Sequence, residues 1–229
     1  MNDAAVGRLR VPVPDAGNVS ALLREPPEAA ALLVLGHGAG AGMRHRFMEE
    51  IAAALAARRI ATLRYQFPYM EAGRRAPDRA PRLVATVRAA VEAATGLAGT
   101  KDLPVFAGGK SMGGRMTSTA ASEGPLGGVR GLVFFGFPLH PAGKPSTGRG
   151  DHLAGVGLPM LFLQGTRDRL AELDLLRPVL DGLDPGPTLH VVDDANHGFH
   201  VPKRTGRTDA DVIEELADVS ARWMAELAP

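Results

Sequence analysis

The stretch VFAGGKSMGGR, residues 105–115, contains two overlapping motifs with different meanings. Gly109, Lys110 and Ser111 form the G-K-S that ends a phosphate-binding loop. The same serine, with Gly109 and Gly113, forms G-x-S-x-G, the sharp turn that presents a serine nucleophile. The first motif indicates a nucleotide-binding protein and the second a hydrolase. The surrounding sequence decides between them.

The phosphate-binding interpretation fails because the loop is too short. A complete motif, G-x-x-x-x-G-K-[ST], needs a glycine at position 104, where this chain has Pro104. Residues 105–107 are apolar and predict a strand, so only Gly108 and Gly109 separate that strand from Lys110. Two residues cannot wrap a ring of backbone N–H groups around a phosphate. The sequence therefore favours a serine nucleophile at the end of a strand.

Short apolar runs on both sides of this stretch predict a mostly parallel sheet. Six runs lack the alternation of a half-exposed strand, as expected for buried parallel strands. They are residues 31–36, 60–65, 103–108, 131–136, 160–165 and 188–193. Residues 7–13 and 19–25, separated by the turn-forming PDAGN, predict an N-terminal antiparallel hairpin. Together they predict a central sheet of about eight strands in a single domain over residues 1–229.

Between the strands, apolar residues recur at helical spacing and predict helices on both faces of the sheet. Three such faces are formed by Phe47, Met48, Ile51 and Leu55, by Leu83, Val84, Val87 and Val91, and by Val212, Leu216, Val219 and Trp223. Thr208 and Asp211 resemble a capping box that opens the last helix. We interpret these apolar residues as core.

A serine hydroxyl becomes a useful nucleophile when a histidine removes its proton and a carboxylate orients that histidine. On a parallel sheet with this turn, the order should be serine, acid, histidine, each in a loop at the carboxyl end of a strand. Asp168 follows one strand in MLFLQGTRDRL, and His197 follows the next in TLHVVDDANHGF. Asp193 and Asp194 remain alternatives for the acid, and His200 for the base. We favour Asp168 and His197 because each directly follows its strand.

The reaction also needs donors for the oxygen that becomes negatively charged. The backbone N–H of Met112, next to the nucleophile, should be one. The second should come from GHGAGAG, residues 36–42, with Ala39 as first choice and Gly40 as second. This loop also fits a loose dinucleotide-binding pattern, but the following strand ends in arginine and tyrosine rather than in the acid that would bind ribose.

With GHGAG, GGKSMGG, GTRD and ANHGF in this order, the chain resembles the α/β-hydrolase superfamily over nearly its whole length. It is most similar to the small, lidless, dienelactone-hydrolase-like branch. The segment RYQFPYME, after the second parallel strand, also resembles sequences of that branch. The resemblance implies an α/β-hydrolase fold without a cap domain, a triad of Ser111, Asp168 and His197, and an oxyanion hole built from the two loop amides. Dienelactone hydrolases themselves use a cysteine where this chain has Ser111. The branch also includes scaffolding subunits of chromatin complexes, so a non-catalytic interaction module is the alternative function.

The amino-acid composition limits the kinds of binding partner and chemistry that we expect. Of 229 residues, 26 are basic and 25 acidic, which gives no reason to expect nucleic acid or an anionic membrane as partner. The absence of cysteine excludes a disulfide framework, a cysteine nucleophile and thiolate metal sites. No apolar run has the length of a membrane helix and the N-terminus lacks an apolar signal segment. We expect a cytoplasmic protein with no cofactor and no metal; the oligomeric state stays open.

The expected activity is cleavage of a small carboxylic ester or thioester through an acyl-enzyme, with a peptidase as a variant and a nucleotide-binding enzyme as the weakest alternative. Candidate substrate contacts are His37, Tyr65, Phe67, Tyr69, Lys110 and Arg115. Core packing is an equal alternative for the aromatic members of this set. The loops around the site are rich in cations, which suggests a preference for substrates bearing a carboxylate or phosphate.

Overall fold

The computed structural model describes residues 5–97, 100 and 102–228. Its strands are β1 (Ala5–Val13), β2 (Gly17–Glu25), β3 (Ala31–Gly36), β4 (Ile60–Tyr65), β5 (Val105–Lys110), β6 (Val129–Phe135), β7 (Met160–Arg167) and β8 (Thr188–Asn196). The α-helices are α1 (Arg46–Ala56), α2 (Pro68–Glu71), α3 (Ala80–Thr95), α4 (Met112–Ser122), α5 (Leu173–Asp181) and α6 (Asp209–Leu227). Among the described residues, 3-10 helices also cover Gly148–Gly155 and Lys203–Thr205.

All eight strands belong to one sheet, in the order β1-β2-β4-β3-β5-β6-β7-β8. The strands from β3 to β8 are parallel, while β2 runs antiparallel to both β1 and β4. The predicted hairpin is therefore confirmed, and it closes with Val13 opposite Gly17. The six apolar runs are the six parallel strands.

Helices cover both faces of the sheet, as the spacing of apolar residues predicts. Helices α1 and α6 pack on one face, and α3, α4 and α5 contribute apolar residues to the core on the other. Every residue of β3, β4 and β5 is buried, because both faces of these strands are covered. Trp223 of α6 packs against Phe106 of β5, with 6.0 Å between ring centroids. The only tryptophan is thus a core residue.

Three of the parallel strands, β5, β7 and β8, run further than their apolar runs predict. β5 continues through Gly109 to Lys110, so the G-K part of the G-K-S motif is strand and forms no loop. β8 continues to Asn196 through a bulge: Gly165 of β7 pairs with Val192 and Arg167 with Asn196, so β8 has extra residues between these two pairs. The sequence pattern did not single out α2 and α5, which are short and contain proline.

The connectivity marks one place for a site. From β3 the chain goes to β4 on one side and then to β5 on the other, so the loops after β3 and β5 leave neighbouring strands in opposite directions. Ligands in open α/β sheets bind in the crevice at such a switch point, outside the carboxyl ends of the strands. The loop of residues 36–42 and the turn at Ser111 meet there. Over the described residues, the connection between β6 and β7 holds only the 3-10 helix Gly148–Gly155 and no cap domain.

Candidate active site

Ser111 forms the turn between β5 and α4, with backbone angles φ 52° and ψ −116°. A positive φ is unusual for a residue with a side chain and is stabilised here by the surrounding packing. A Cβ at Gly109 or Gly113 would overlap the carbonyl oxygen of Gly36, so only glycine fits on either side of the serine. The Ser111 N–H donates to the carbonyl of Phe135 at 3.1 Å. The turn is therefore pinned between β3 and β6.

Three side chains from three different loops form a continuous chain of hydrogen bonds. His197 Nε2 lies 2.9 Å from Ser111 Oγ, and His197 Nδ1 lies 2.7 Å from Asp168 Oδ2. The Asp168 carboxylate has no exposed surface, whereas the His197 side chain is 26% exposed. In this arrangement Nδ1–H donates to the carboxylate, which leaves Nε2 as the acceptor for the serine proton.

The surroundings of His197 keep its imidazole neutral near pH 7. Burial is the largest influence and lowers the pKa of His197 below its usual 6.5; the nearby Lys110 ammonium lowers it further. The hydrogen bond to Asp168 and the charge of that carboxylate act in the opposite direction and raise the pKa. The balance favours the form of histidine that can accept a proton.

The carboxylate of Asp168 is held by two donors besides His197. Gln164 Nε2 donates to Asp168 Oδ2 at 2.6 Å, and the Leu170 N–H donates to Oδ1 at 2.8 Å. The other end of the Gln164 amide accepts from the N–H of Phe137 at 3.0 Å. Sequence reasoning missed Gln164; its signal is a polar residue inside the apolar run MLFLQG, four positions before the acid.

The alternative acid and base lie elsewhere. Asp194 accepts from Arg204 at 2.6 Å and has a left-handed backbone in the β8 bulge, while Asp193 is exposed on that strand. His200 is paired with Asp209, at the start of α6, at 3.0 Å. Neither set contacts Ser111, so the geometry favours Asp168 and His197.

The loop of residues 36–42 runs directly beside the serine. A Cβ at Gly38 would lie 3.7 Å from Ser111 Cβ, which places this backbone next to the hydroxyl. The Gly40 N–H donates to the hydroxyl of Tyr69 at 3.0 Å and is thereby occupied. Ala39 is therefore the better candidate for the second oxyanion donor. Met112 is the first residue of α4, where backbone N–H groups have no partner within the helix.

His37 holds this loop in place and does not face the cleft. Its side chain is fully buried, with Nδ1 2.8 Å from the carbonyl oxygen of Gly38 and Nε2 accepting from the Phe67 N–H at 3.2 Å. Burial, the largest influence, lowers the pKa of His37 to about 4. The ring is therefore neutral, with its proton on Nδ1, and it ties the loop after β3 to the loop after β4.

The aromatic candidates for substrate contact lie in the core, the alternative that the sequence left open. Tyr65, Phe67 and Tyr69 have no exposed surface, and their rings pack in a row, with centroids 5.2 Å apart for the first pair and 6.5 Å for the second. Burial raises the pKa of the Tyr65 hydroxyl far above its usual value. Of the three, Tyr69 reaches the site indirectly, through its hydrogen bond with Gly40.

An open cleft of about 620 Å³ borders Asp168 and His197. Arg167 and Arg169 line it together with Glu172, Thr166, Asn196 and Gly198. Arg115, in the first turn of α4 after the serine, lies near Arg149. Burial, and secondarily the charge of Arg149, lowers the pKa of Arg115, and its buried Nε has no hydrogen-bond partner among the described residues. Arginines therefore lie both in the cleft and in the helix that begins at the serine.

The described part of the chain offers neither a metal site nor a membrane span. No three side chains of the types that bind metals come together in it, and none of its helices is both long and apolar enough to span a membrane. The described residues are suited to nucleophilic chemistry. Ser111 offers a hydroxyl, the neutral His197 ring turns Nε2 towards it as proton acceptor, and backbone N–H groups lie beside them.

The comparisons with known proteins agree with this architecture. A family model described as "Alpha/beta hydrolase domain" matches residues 29–225. A dienelactone hydrolase from Anabaena variabilis superposes with a TM-score of 0.81 at 20% identity, over 100% of both chains. A serine hydrolase without lid from Xanthomonas campestris gives 0.73 at 21%, over 97% of this chain and 96% of that one. An esterase domain from a Rhodothermus marinus protein gives 0.68 at 17%, over 95% and 98%. The predicted α/β-hydrolase fold is confirmed.

Proposed function

Because the chain belongs to the α/β hydrolase family, we propose that it is a serine hydrolase that cleaves a small carboxylic ester or thioester. The observation that carries this proposal is the unbroken hydrogen-bond chain from Ser111 through His197 to Asp168, with the serine held on a strained turn. Each member comes from the carboxyl end of its own strand. The likeness to an esterase domain and to a lidless serine hydrolase supports the same class of reaction.

The proposed reaction proceeds through an acyl-enzyme. Ser111 Oγ attacks the carbonyl carbon while His197 Nε2 takes the hydroxyl proton. The N–H groups of Met112 and Ala39 stabilise the oxyanion of the tetrahedral intermediate. His197 then gives its proton to the leaving alcohol or thiol. Water, activated by the same imidazole, releases the acid and restores the serine. The Asp168 carboxylate orients the imidazole and stabilises the imidazolium that forms.

The surroundings of the serine support a small, polar and anionic substrate. The cleft is open and no cap domain covers it over the described residues, so it offers little enclosed apolar surface for a long acyl chain. Arg167 and Arg169 in the cleft, together with Arg115 and Arg149 near the start of α4, would attract a carboxylate or phosphate on the substrate.

A fluorophosphonate probe tests the proposal, because such probes react covalently with activated serines. We expect the purified protein to be labelled at Ser111, and labelling to be lost in both Ser111→Ala and His197→Ala. Mass spectrometry of the labelled peptide identifies the site.

Ser118 provides a matched control. It is a buried serine on the same helix as the nucleophile turn, and its Oγ also lies 2.7 Å from a histidine ring nitrogen, Nε2 of His152. It donates to the Arg115 carbonyl, however, and lies inside α4 instead of on a strained turn. Ser118→Ala should label like the wild type. A protein without serine-dependent labelling would instead be a non-catalytic member of the family.

A further inference from the structure

Lys110, the residue before the proposed nucleophile, is buried in an environment unusual for a lysine. Only 9% of its surface is exposed, and its Nζ lies 5.7 Å and 5.3 Å from the ring centroids of Phe47 and Phe199. These two rings stack on each other with centroids 5.6 Å apart. The ammonium therefore ends in an aromatic pocket next to the site, away from solvent.

Within this pocket the ammonium makes one short hydrogen bond, to the base. Lys110 Nζ donates to the backbone carbonyl oxygen of His197 at 2.6 Å. No carboxylate of the described residues forms a salt bridge with Lys110. A charged donor makes a stronger hydrogen bond to a carbonyl than a neutral one does. Lys110 thus holds the backbone of the turn that carries His197, while Asp168 holds the imidazole ring of His197.

Gly136 makes room for this contact. It follows β6 with φ 67°, and a Cβ there would lie 3.0 Å from Lys110 Nζ and 3.5 Å from His197 Nδ1 and Cε1. The lysine head group and the imidazole therefore share one small space at the carboxyl end of β6. An ammonium in that space acts on the position of the histidine and on its charge.

We propose that Lys110 is a positioning residue, which holds the His197 turn in place through a hydrogen bond to the backbone carbonyl of His197. The proposal rests on the serine-hydrolase function proposed above. It assigns a role to a residue that does not touch the substrate. It also gives the lysine of the G-K-S motif a role other than phosphate binding, because the Lys110 side chain reaches the backbone carbonyl of His197.

The electrostatics agree with this geometry. Burial, the largest influence, lowers the pKa of Lys110 to about 8, although Asp168 raises it. The groups that act on the ammonium are Asp168 on the β7 loop and His197 on the β8 loop, while α1 contributes the uncharged ring of Phe47. Lys110 remains mostly charged at pH 7, and its charge lowers the pKa of His197.

A buried cation without a carboxylate partner disfavours the folded state, so a purely structural lysine would be a poor choice here. Lys110→Met keeps an unbranched side chain, shorter by the terminal nitrogen, and removes the charge. If the lysine serves function, the unfolding midpoint of this variant should be unchanged or higher, while activity falls. If it serves only stability, the midpoint should fall.

The first measurement needs no substrate. Histidine NMR titrations of the wild type and of Lys110→Met should show the His197 pKa rising by several tenths of a unit in the variant, because the neighbouring positive charge is gone. Lys203→Met is the control, since Lys203 lies exposed in the same connection between His197 and α6. It should leave the His197 pKa unchanged.

The second measurement is the rate. Lys110→Met should lower the rate of fluorophosphonate labelling and the kcat for an ester by about 10- to 100-fold, the usual effect of a displaced catalytic group, with KM little changed. The chain contains no cysteine, so Lys110→Cys can be alkylated with bromoethylamine at that position alone, in denaturant, and then refolded. This rebuilds an ammonium of nearly the same length and should restore both the rate and the His197 pKa.

Three results would overturn the proposal: an unchanged His197 pKa and rate in Lys110→Met, a loss of rate that simply follows a lower unfolding midpoint, or a failure of the rebuilt ammonium to restore either quantity. Failure of the underlying function has a different signature. In that case the wild type itself is not labelled at Ser111, while the titrations still report on the contact between Lys110 and His197.

Discussion

Ser111 and His37 show how single residues fix the geometry of the site. The strained backbone of the serine requires glycines on both sides, because β3 passes so close that a Cβ would meet the Gly36 carbonyl. His37 continues from that same glycine and uses both ring nitrogens to join two loops. The proposed nucleophile and the proposed oxyanion loop are therefore held against the same short segment of β3.

The neutrality of His37 has a consequence for stability. Its pKa is about 4 in the folded protein and near 6.5 in an unfolded chain, so the unfolded state binds the proton more readily between these values. The stability associated with the neutral ring is fully present above about pH 6.5 and is lost as the pH falls towards 4. We expect this one residue to cost about 3 kcal/mol of unfolding free energy over that window.

Urea unfolding followed by the fluorescence of Trp223 measures this effect at about pH 7.5 and about pH 5. Other groups titrate in the same range, so the informative quantity is the difference from His37→Gln. Glutamine has a donor and an acceptor but no charge change near these pH values. The variant should lose less stability on acidification than the wild type. Equal losses in the two proteins would show that His37 is not the buried neutral group described.

Among the elements, α6 does more than cover the sheet. Its first residue, Asp209, accepts from the Val201 N–H at 3.1 Å and contacts His200, so the start of the helix anchors the connection from His197. Thr208 and Asp211 form the predicted capping box, in which each side chain bonds the other residue's N–H. The first turn of α6 and the loop that carries His197 are therefore joined by hydrogen bonds.

Thr208→Ala removes half of this box and should lower the unfolding free energy by about 1 kcal/mol. Denaturant unfolding measures the loss. Thr95→Ala is the control, because Thr95 ends α3 and its hydroxyl donates to the Glu92 carbonyl of its own turn. That variant should change stability by less than about 0.5 kcal/mol. A cap that matters only locally would give equal, small effects for both.

In the molecule as a whole, basic and acidic residues are nearly equal in number but are not evenly distributed. The net charge is +1, yet arginines flank the cleft and the serine. A local positive field raises the rate of encounter with anionic substrates and is screened by salt.

We therefore expect the protein to prefer para-nitrophenyl hemisuccinate over the neutral butyrate ester by several-fold in kcat/KM at low ionic strength. The preference should shrink as salt is added. Arg149→Gln should reduce it, whereas Arg130→Gln should not, since Arg130 is exposed at the amino end of β6, and the site lies at the carboxyl ends of the strands. Equal turnover of both esters, unaffected by salt, would contradict the expected field.

Much of the fold and three residues of the site were predictable from local pattern. Apolar runs, helical spacing and the turn at PDAGN reflect interactions between residues close in the chain, so strands, helices and the hairpin could be read directly. The order Ser111, Asp168, His197 followed from where each residue stands relative to its strand. Pattern could not identify Gln164 or the role of Lys110, because both act on partners in other loops.

The order of residues thus specified the elements, the class of fold and the candidate nucleophile, acid and base, because periodicity and motif spacing are properties of the chain itself. Folding decided which donors and charges meet. Strand order and the β8 bulge bring His197 to Ser111, 86 positions away. Tertiary packing also occupies the Gly40 N–H with the Tyr69 hydroxyl and buries the aromatic residues at the end of β4 and after it. It brings Lys110 Nζ to the His197 carbonyl. Those contacts depend on the register of neighbouring strands and on close packing, which no stretch of sequence carries alone.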